Sequence, residues 1–106
     1  MRNIPVNEWI VKNLDKPETK ENLILVLGIL VNNKKPEDIP RGFEQFKLYT
    51  KLIKAFEKAE ETKMLKLEEK EYAFLRATIE KDIPSIWGIN KNIVDAIEIF
   101  MNAKEE

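Results

Sequence analysis

The chain contains no cysteine and no histidine. Without cysteine it can form neither a disulfide nor a thiolate nucleophile. Without histidine it lacks the imidazole that serves as a general base near neutral pH, so its single serine, Ser85, has no partner for a serine–histidine–aspartate arrangement. The usual ligands of zinc sites are missing as well. Disulfide-stabilised folds, cysteine and serine–histidine hydrolases and ordinary zinc modules are therefore excluded.

The two signs of charge nearly balance. The chain has 18 basic and 19 acidic residues, and its pI is near 5.7. Proteins that bind nucleic acid through its phosphates usually present a basic surface, so this balance does not favour such a partner. The longest apolar run, Leu23–Val31, is far shorter than the ~20 residues that cross a bilayer, and residues 1–5 lack the apolar segment of a signal peptide. We expect no membrane association and a cytoplasmic location, in the host cytoplasm if the protein is viral.

Glycine is scarce, with three residues in the chain, and none belongs to a phosphate-binding loop. The candidate acid–base groups are glutamates: Glu60 with Glu61, and Glu68 with Glu69 and Glu71. Adjacent helical side chains point about 100° apart, and acidic residues are common in a first helical turn, where they favour the positive end of the dipole. A metal or acid–base site at residues 68–71 is the alternative. We predict no catalytic residue, no metal and no cofactor, and that the chain is not an enzyme.

The stretch Leu23–Val31 is uninterrupted by charge and has polar residues on both sides. An element that is apolar on all sides must be covered on all sides, so we expect the rest of the chain to surround it. The sequence predicts a turn at residues 15–19, with Pro17 in the first helical turn, and then a helix to about Val31; a buried strand is the alternative. Gly28 lowers helix stability by roughly 1 kcal/mol relative to alanine, which suggests that a neighbouring helix approaches closely there.

Three further helices follow from the spacing of apolar residues, at residues 43–61, 68–81 and 91–103. The first has the clearest apolar stripe, which contains Phe46, Tyr49, Leu52, Ile53, Phe56 and Ala59. Between the first two, Leu65 and Leu67 alternate with Lys66, which predicts a short extended segment near residues 64–67.

The apolar pattern of residues 4–14 fits either a helix or a strand. Val6, Trp9, Ile10 and Leu14 fit one face of a helix, whereas the alternation of Trp9 with Val11 fits a strand almost as well. We predict a short N-terminal helix or arm. Trp9 is more typical of a core anchor than of a binding residue, but it remains a candidate.

Residues 82–90 form a compact apolar loop before the last helix. Pro84 ends the preceding helix, Gly88 permits a turn, and Asn90 is a good N-cap. Trp87 in this loop either closes the core or anchors a partner. We take Trp9, Trp87 and Ile89 as the candidate partner-binding residues.

The second half of the chain also invites comparison with a helix-turn-helix, because residues 68–81 and 91–103 flank a loop. The recognition helix would then expose Lys91, Asn92, Asp95, Glu98, Asn102 and Lys104. Acidic residues at its centre would oppose the phosphates. A nucleic-acid-associated regulator is therefore the alternative function, and nucleic acid is an unlikely partner.

A family resemblance covers residues 43–103. It rests on the lysine-rich amphipathic segment Phe46–Ala59, the Leu-Lys-Leu segment with the acidic helix start that follows it (Leu65–Leu75), Trp87, and the closing helix from Ile93 to Ala103. In these features the chain resembles small uncharacterised proteins encoded in bacteriophages and in proviral regions of bacteria and archaea. The resemblance implies a phage-type origin, with some relatives encoded near head and tail genes. It carries over no functional residues.

Together these observations predict an all-α fold, with residues 1–106 forming a single compact domain of four helices. The predicted function is a non-enzymatic protein-interaction module, a phage- or provirus-related accessory or assembly protein. Its partner is another protein or a second copy, because three amphipathic helices can leave part of the central helix uncovered, and such a surface can form a homodimer.

Overall fold

The computed structural model describes residues 1–13, 16–35, 37, 39 and 41–104. Their elements are β1 (Arg2–Pro5), β2 (Glu8–Asn13), β3 (Lys16–Asn22), α1 (Leu23–Asn32), α2 (Phe43–Thr62), β4 (Met64–Leu67), α3 (Glu69–Asp82), a 3₁₀ helix (Ser85–Ile89) and α4 (Lys91–Met101). The described residues thus form an α+β fold, with four α-helices and two antiparallel sheets of two strands each. The prediction of an all-α helical bundle is wrong. The helices were predicted correctly in number, but the strands around them were largely missed.

The first sheet joins the beginning of the chain to the segment between α2 and α3. β1 pairs with β4 in antiparallel register, from Arg2 opposite Leu67 to Pro5 opposite Met64. The predicted extended segment near residues 64–67 is therefore confirmed as a strand. The Arg2 guanidinium fixes the sheet to the helices, because its Nε donates to Glu69 Oε1 at 2.8 Å and its Cζ lies 4.3 Å from the centre of the Tyr72 ring. Another of its nitrogens donates to the carbonyl of Ala103, after the end of α4.

The second sheet is a hairpin of β2 and β3, with Trp9 opposite Glu21 and Val11 opposite Thr19. The predicted short N-terminal helix is wrong, since the strand alternative applies to residues 8–13. The predicted helix start near Pro17 is also wrong: residues 16–22 are a strand, and α1 begins at Leu23. The side chain of Asn22 caps α1 by accepting a hydrogen bond from the Leu25 amide at 3.0 Å.

One hydrophobic cluster connects the first sheet with the helices. Its fully buried members come from β1, β4 and all four helices: Ile4, Leu23, Leu27, Leu52, Ala59, Leu65, Leu67, Leu75 and Phe100. Tyr72 adds a polar tie, because its hydroxyl donates to the Phe100 carbonyl at 2.8 Å. The rings of Tyr72 and Phe100 are 4.9 Å apart, which holds α3 against α4.

The central helix α1 is only partly covered. Leu23, Leu27 and Leu30 are buried, but Leu25 and Ile29 point outwards and are exposed. The expectation that Leu23–Val31 is covered on all sides is therefore wrong. The expected close neighbour at Gly28 is missing too, since a Cβ added there would meet no atom within 4 Å.

Helix α2 agrees with its predicted bounds but not with its predicted burial. Leu52 and Ala59 are fully buried, and Tyr49 and Phe56 are half-buried, as the apolar stripe requires. Phe46 and Ile53, which belong to the same stripe, are mostly exposed. The chain therefore leaves one side of this stripe uncovered.

No described helix has both the length and the apolar character that crossing a membrane requires.

Candidate protein-interaction site

An apolar groove lies where the hairpin, α1, the 3₁₀ helix and the start of α4 meet. Its volume is about 390 Å³. We call it the Trp87 groove, and its lining residues are Val11, Glu21, Leu25, Val26, Ile29, Ile86, Trp87, Ile89, Asn90 and Ile93. Among these residues, Glu21 alone carries a charge.

Four large aliphatic side chains around this groove are open to solvent. The exposed fraction is 83% for Ile89, 66% for Ile86, 44% for Leu25 and 38% for Ile29. They come from two separate elements, the 3₁₀ helix and α1, and converge on one groove. Single exposed apolar residues are normal on a protein surface, whereas a cluster of them around a groove is typical of a binding site.

The local backbone explains why Trp87 and Ile89 lie at this position. Pro84 precedes the 3₁₀ helix, and its carbonyl accepts a hydrogen bond from the Trp87 amide at 3.0 Å. The Trp87 carbonyl accepts in turn from the Asn90 amide at 3.0 Å. The Asn90 side chain then caps α4 by accepting from the amides of Asn92 and Ile93, which confirms its predicted role as N-cap. The turn is thereby fixed at both ends.

Two of the three candidate partner-binding residues lie together in this groove. Trp87 is half-buried and packs against the hydrophobic cluster, so that it supports the groove floor, and Ile89 forms the exposed rim. Trp9 lies elsewhere, on β2. Its indole Nε1 donates to Glu21 Oε1 at 3.2 Å, directly across the hairpin, and its ring packs against the cluster.

Sequence reasoning missed Leu25, Ile29 and Ile86 as parts of this surface. It placed Leu25 and Ile29 in a helix that the rest of the chain should surround, and it expected that part of this helix can stay uncovered without identifying which part. The sequence carries no clear signal for this, because the strands β2 and β3 contain residues that were expected to extend α1 and to cover it. With residues 8–13 and 16–22 in the two strands of a hairpin, fewer apolar side chains remain to cover the outer side of α1.

The glutamates considered for acid–base or metal chemistry do not converge. Glu69 pairs with Arg2, Glu68 pairs with Lys51 at 3.3 Å, and Glu71 is buried. Among the residues that the structure describes, no group of three or more carboxylates could hold a metal ion.

The ion pairs between described residues lie outside the Trp87 groove. Lys63 Nζ is 2.6 Å from Glu8 Oε1, and this hydrogen bond lowers the pKa of Glu8 and raises the pKa of Lys63. Lys34 Nζ is 3.3 Å from Asp82 Oδ2, where it links the end of α1 to the end of α3. The groove therefore offers a partner apolar contact rather than charge.

The surface of α4 carries both signs of charge. The residues expected to be exposed in a recognition helix are indeed exposed: Lys91, Asn92, Asp95, Glu98, Asn102 and Lys104. Their two basic and two acidic side chains cancel, so this surface offers no net attraction to phosphates.

Comparisons of the chain with protein-family models, with curated proteins and with solved structures found no match.

Proposed function

We propose that this chain is a non-enzymatic protein-interaction module whose Trp87 groove takes apolar side chains of a partner protein. The observation that carries the proposal is the convergence of Leu25, Ile29, Ile86 and Ile89, all exposed, on one groove. Fully burying one leucine or isoleucine contributes roughly 1.5–3 kcal/mol. A partner that covers this groove therefore gains from several side chains at once.

The composition of the groove fits the centre of a protein interface. Interface centres are depleted of charge and enriched in aromatic residues, and tryptophan is among the residues whose truncation weakens binding most. In the Trp87 groove the one charged lining residue, Glu21, already accepts a hydrogen bond from Trp9. Polar residues beside Ile89, namely Asn90, Lys91 and Asn92, supply a rim.

The biological setting that we propose follows from the resemblance of residues 43–103 to phage and provirus proteins. In that setting the chain is an accessory or assembly factor that acts in the cytoplasm, in the host cytoplasm during infection. Its partner would be another protein of the same phage or of its host. A function by contact also agrees with the lack of histidine, cysteine and a paired nucleophile in the sequence.

Site-specific photocrosslinking tests the proposal in cells that carry the gene. The photoreactive residue p-benzoylphenylalanine replaces Ile89, whose exposure leaves room for it. The matched control carries the same residue in place of Lys66, which is exposed on β4 and does not line the groove. We expect a discrete covalent adduct with one protein from position 89 and not from position 66.

The adduct should disappear when Leu25→Asp is added, because this change places a charge in the groove without touching the crosslinking position. No adduct from position 89, or the same adducts from both positions, would contradict the proposed function.

A further inference from the structure

A second uncovered apolar surface lies on the other side of α1. It consists of Phe43, Phe46 and Ile53 on α2, whose exposed fractions are 68%, 67% and 57%, together with Ile39, which is 39% exposed. We call it the α2 face. The rings of Phe43 and Phe46 stack with centroids 6.2 Å apart and planes 13° apart, and Lys47 Nζ lies 4.8 Å from the centre of the Phe43 ring.

An apolar cavity lies beside this face and shares Ile39 and Ile53 with it. Its volume is about 420 Å³, and residues of α1 and α2 line it, among them Gly28, Val31, Ile53 and Phe56. The chain itself leaves this space open at Gly28, where an added Cβ would meet nothing within 4 Å. The α2 face thus combines a projecting pair of rings with an apolar recess beside it.

The apolar positions on this side of α2 are spaced symmetrically. Phe43 and Phe56 are equally far from the bond between Tyr49 and Thr50, and so are Phe46 and Ile53. In a two-fold dimer, if residue i of one copy contacts residue j of the other, then residue j of the first copy contacts residue i of the second. Two antiparallel copies of α2 with the axis at residues 49 and 50 therefore place each Phe43 level with Phe56 and each Phe46 level with Ile53.

We propose that the chain forms a homodimer through the α2 face, in which α2 packs antiparallel to its own copy and the stacked rings of each copy enter the recess of the other. The proposal does not depend on the proposed function, because the α2 face and the Trp87 groove share no lining residue.

The exposed area agrees with a second copy as the occupant. At about 200 Å² per large side chain, the four exposed residues of the α2 face present roughly 450 Å² of apolar surface. A standard interface buries about 800 Å² per partner, and homodimer interfaces are about 65% apolar, so each copy must supply about 500 Å². The α2 face nearly meets this requirement by itself.

In this register Lys47 lies two residues, about 3 Å along the helix axis, from the level of Lys54 of the second copy, and both are exposed. The two lysines therefore form a like-charge pair that a charge reversal can convert.

Sedimentation velocity over a series of protein concentrations tests the dimer. We expect the wild type to pass from monomer to dimer and Phe46→Asp to raise the dissociation constant at least a hundredfold, because two copies lose the contact. Lys54→Glu should lower the constant by pairing with Lys47. The control Ile89→Asp changes the Trp87 groove instead and should dimerise like the wild type. Far-UV circular dichroism checks that each variant is folded.

Disulfide trapping tests the register, since the chain has no cysteine of its own. Thr50→Cys lies next to the axis and should form a covalent dimer on mild oxidation, whereas Lys51→Cys, about 100° around the helix, should not. A wild type that stays monomeric at high concentration would overturn the proposal and leave the α2 face to a different partner. Equal association of Phe46→Asp and wild type, or equal trapping of both cysteine variants, would overturn it as well.

Discussion

Replacing Gly28 with alanine should stabilise the protein. Glycine in a helix interior is roughly 1 kcal/mol less favourable than alanine, because it loses more backbone freedom on folding. Gly28 lies within α1, has no positive φ, and has open space where the new Cβ would be. The whole propensity difference should therefore appear as stability, with no packing penalty to offset it.

The gain corresponds to a measurable shift. For a chain of 106 residues, about 1 kcal/mol raises Tm by roughly 4–5 °C. Urea unfolding followed by circular dichroism should give a higher midpoint with an unchanged slope. The measurement is best made in the Phe46→Asp background, because Gly28 lines the recess of the proposed dimer and association would add its own stabilisation.

Gly42→Ala is the matched control, because the same chemical change should have the opposite sign. Gly42 precedes α2 with φ at 109° and ψ at 169°, a region that is essentially confined to glycine and costs other residues about 1–3 kcal/mol. A Gly28→Ala variant that unfolds at the same or a lower urea concentration than its parent would refute the reasoning. It would mean that another part of the molecule packs against Gly28 after all.

Three further measurements address other parts of the fold. The Tyr49 hydroxyl oxygen is buried with no hydrogen-bond partner among the described residues, and burial raises its pKa. Tyr49→Phe should therefore leave the unfolding free energy unchanged or raise it by up to about 1 kcal/mol. A clearly lower unfolding free energy in urea would contradict this. Phe100→Ala should lower the unfolding free energy by about 3–5 kcal/mol, because Phe100 is fully buried against Tyr72, and a loss below 1 kcal/mol would contradict the described core. The lowered pKa of Glu8 means that its pairing with Lys63 stabilises the fold at pH values above the ordinary pKa of glutamate, and that this stabilisation is lost as the pH falls through the lowered pKa. The urea midpoints of wild type and Glu8→Gln should therefore differ at pH 7 and converge in acid. A difference that stays constant with pH would contradict the pairing.

The helices of the second half could be predicted because their signals are local. The apolar stripe of α2, the acidic start of α3 and the Asn90 cap of α4 each depend on residues within a few positions of one another. The segment around Leu65 could be predicted in the same way, from alternation. Its partner strand β1 is far away in sequence, and its four residues carry no comparable pattern.

The hairpin could not be predicted with the same security. β3 spans residues 16–22 and contains no aliphatic or aromatic side chain, so neither a helical nor a strand period is visible in it. Its conformation depends on backbone hydrogen bonds to β2, which is a tertiary effect that overrides local preference. Because the prediction extends the helix into residues 16–22, it begins α1 too early and overestimates how much of α1 is buried.

The candidate site was only partly accessible for the same reason. Trp87 and Ile89 stood out because large apolar residues in a loop need an explanation. Leu25 and Ile29 did not, since in the sequence they belong to a run that reads as buried throughout. Only the arrangement of neighbouring elements decides which side of such a helix remains open.

The most direct test of protein binding through the Trp87 groove is to measure how tightly the chain binds the partner protein that crosslinks to position 89. Isothermal titration calorimetry would compare wild type, Ile89→Asp and the control Lys66→Asp against that purified partner. We predict at least a tenfold weaker affinity for Ile89→Asp, which corresponds to about 1.4 kcal/mol, and an unchanged affinity for Lys66→Asp. Equal affinities for wild type and Ile89→Asp would contradict the account.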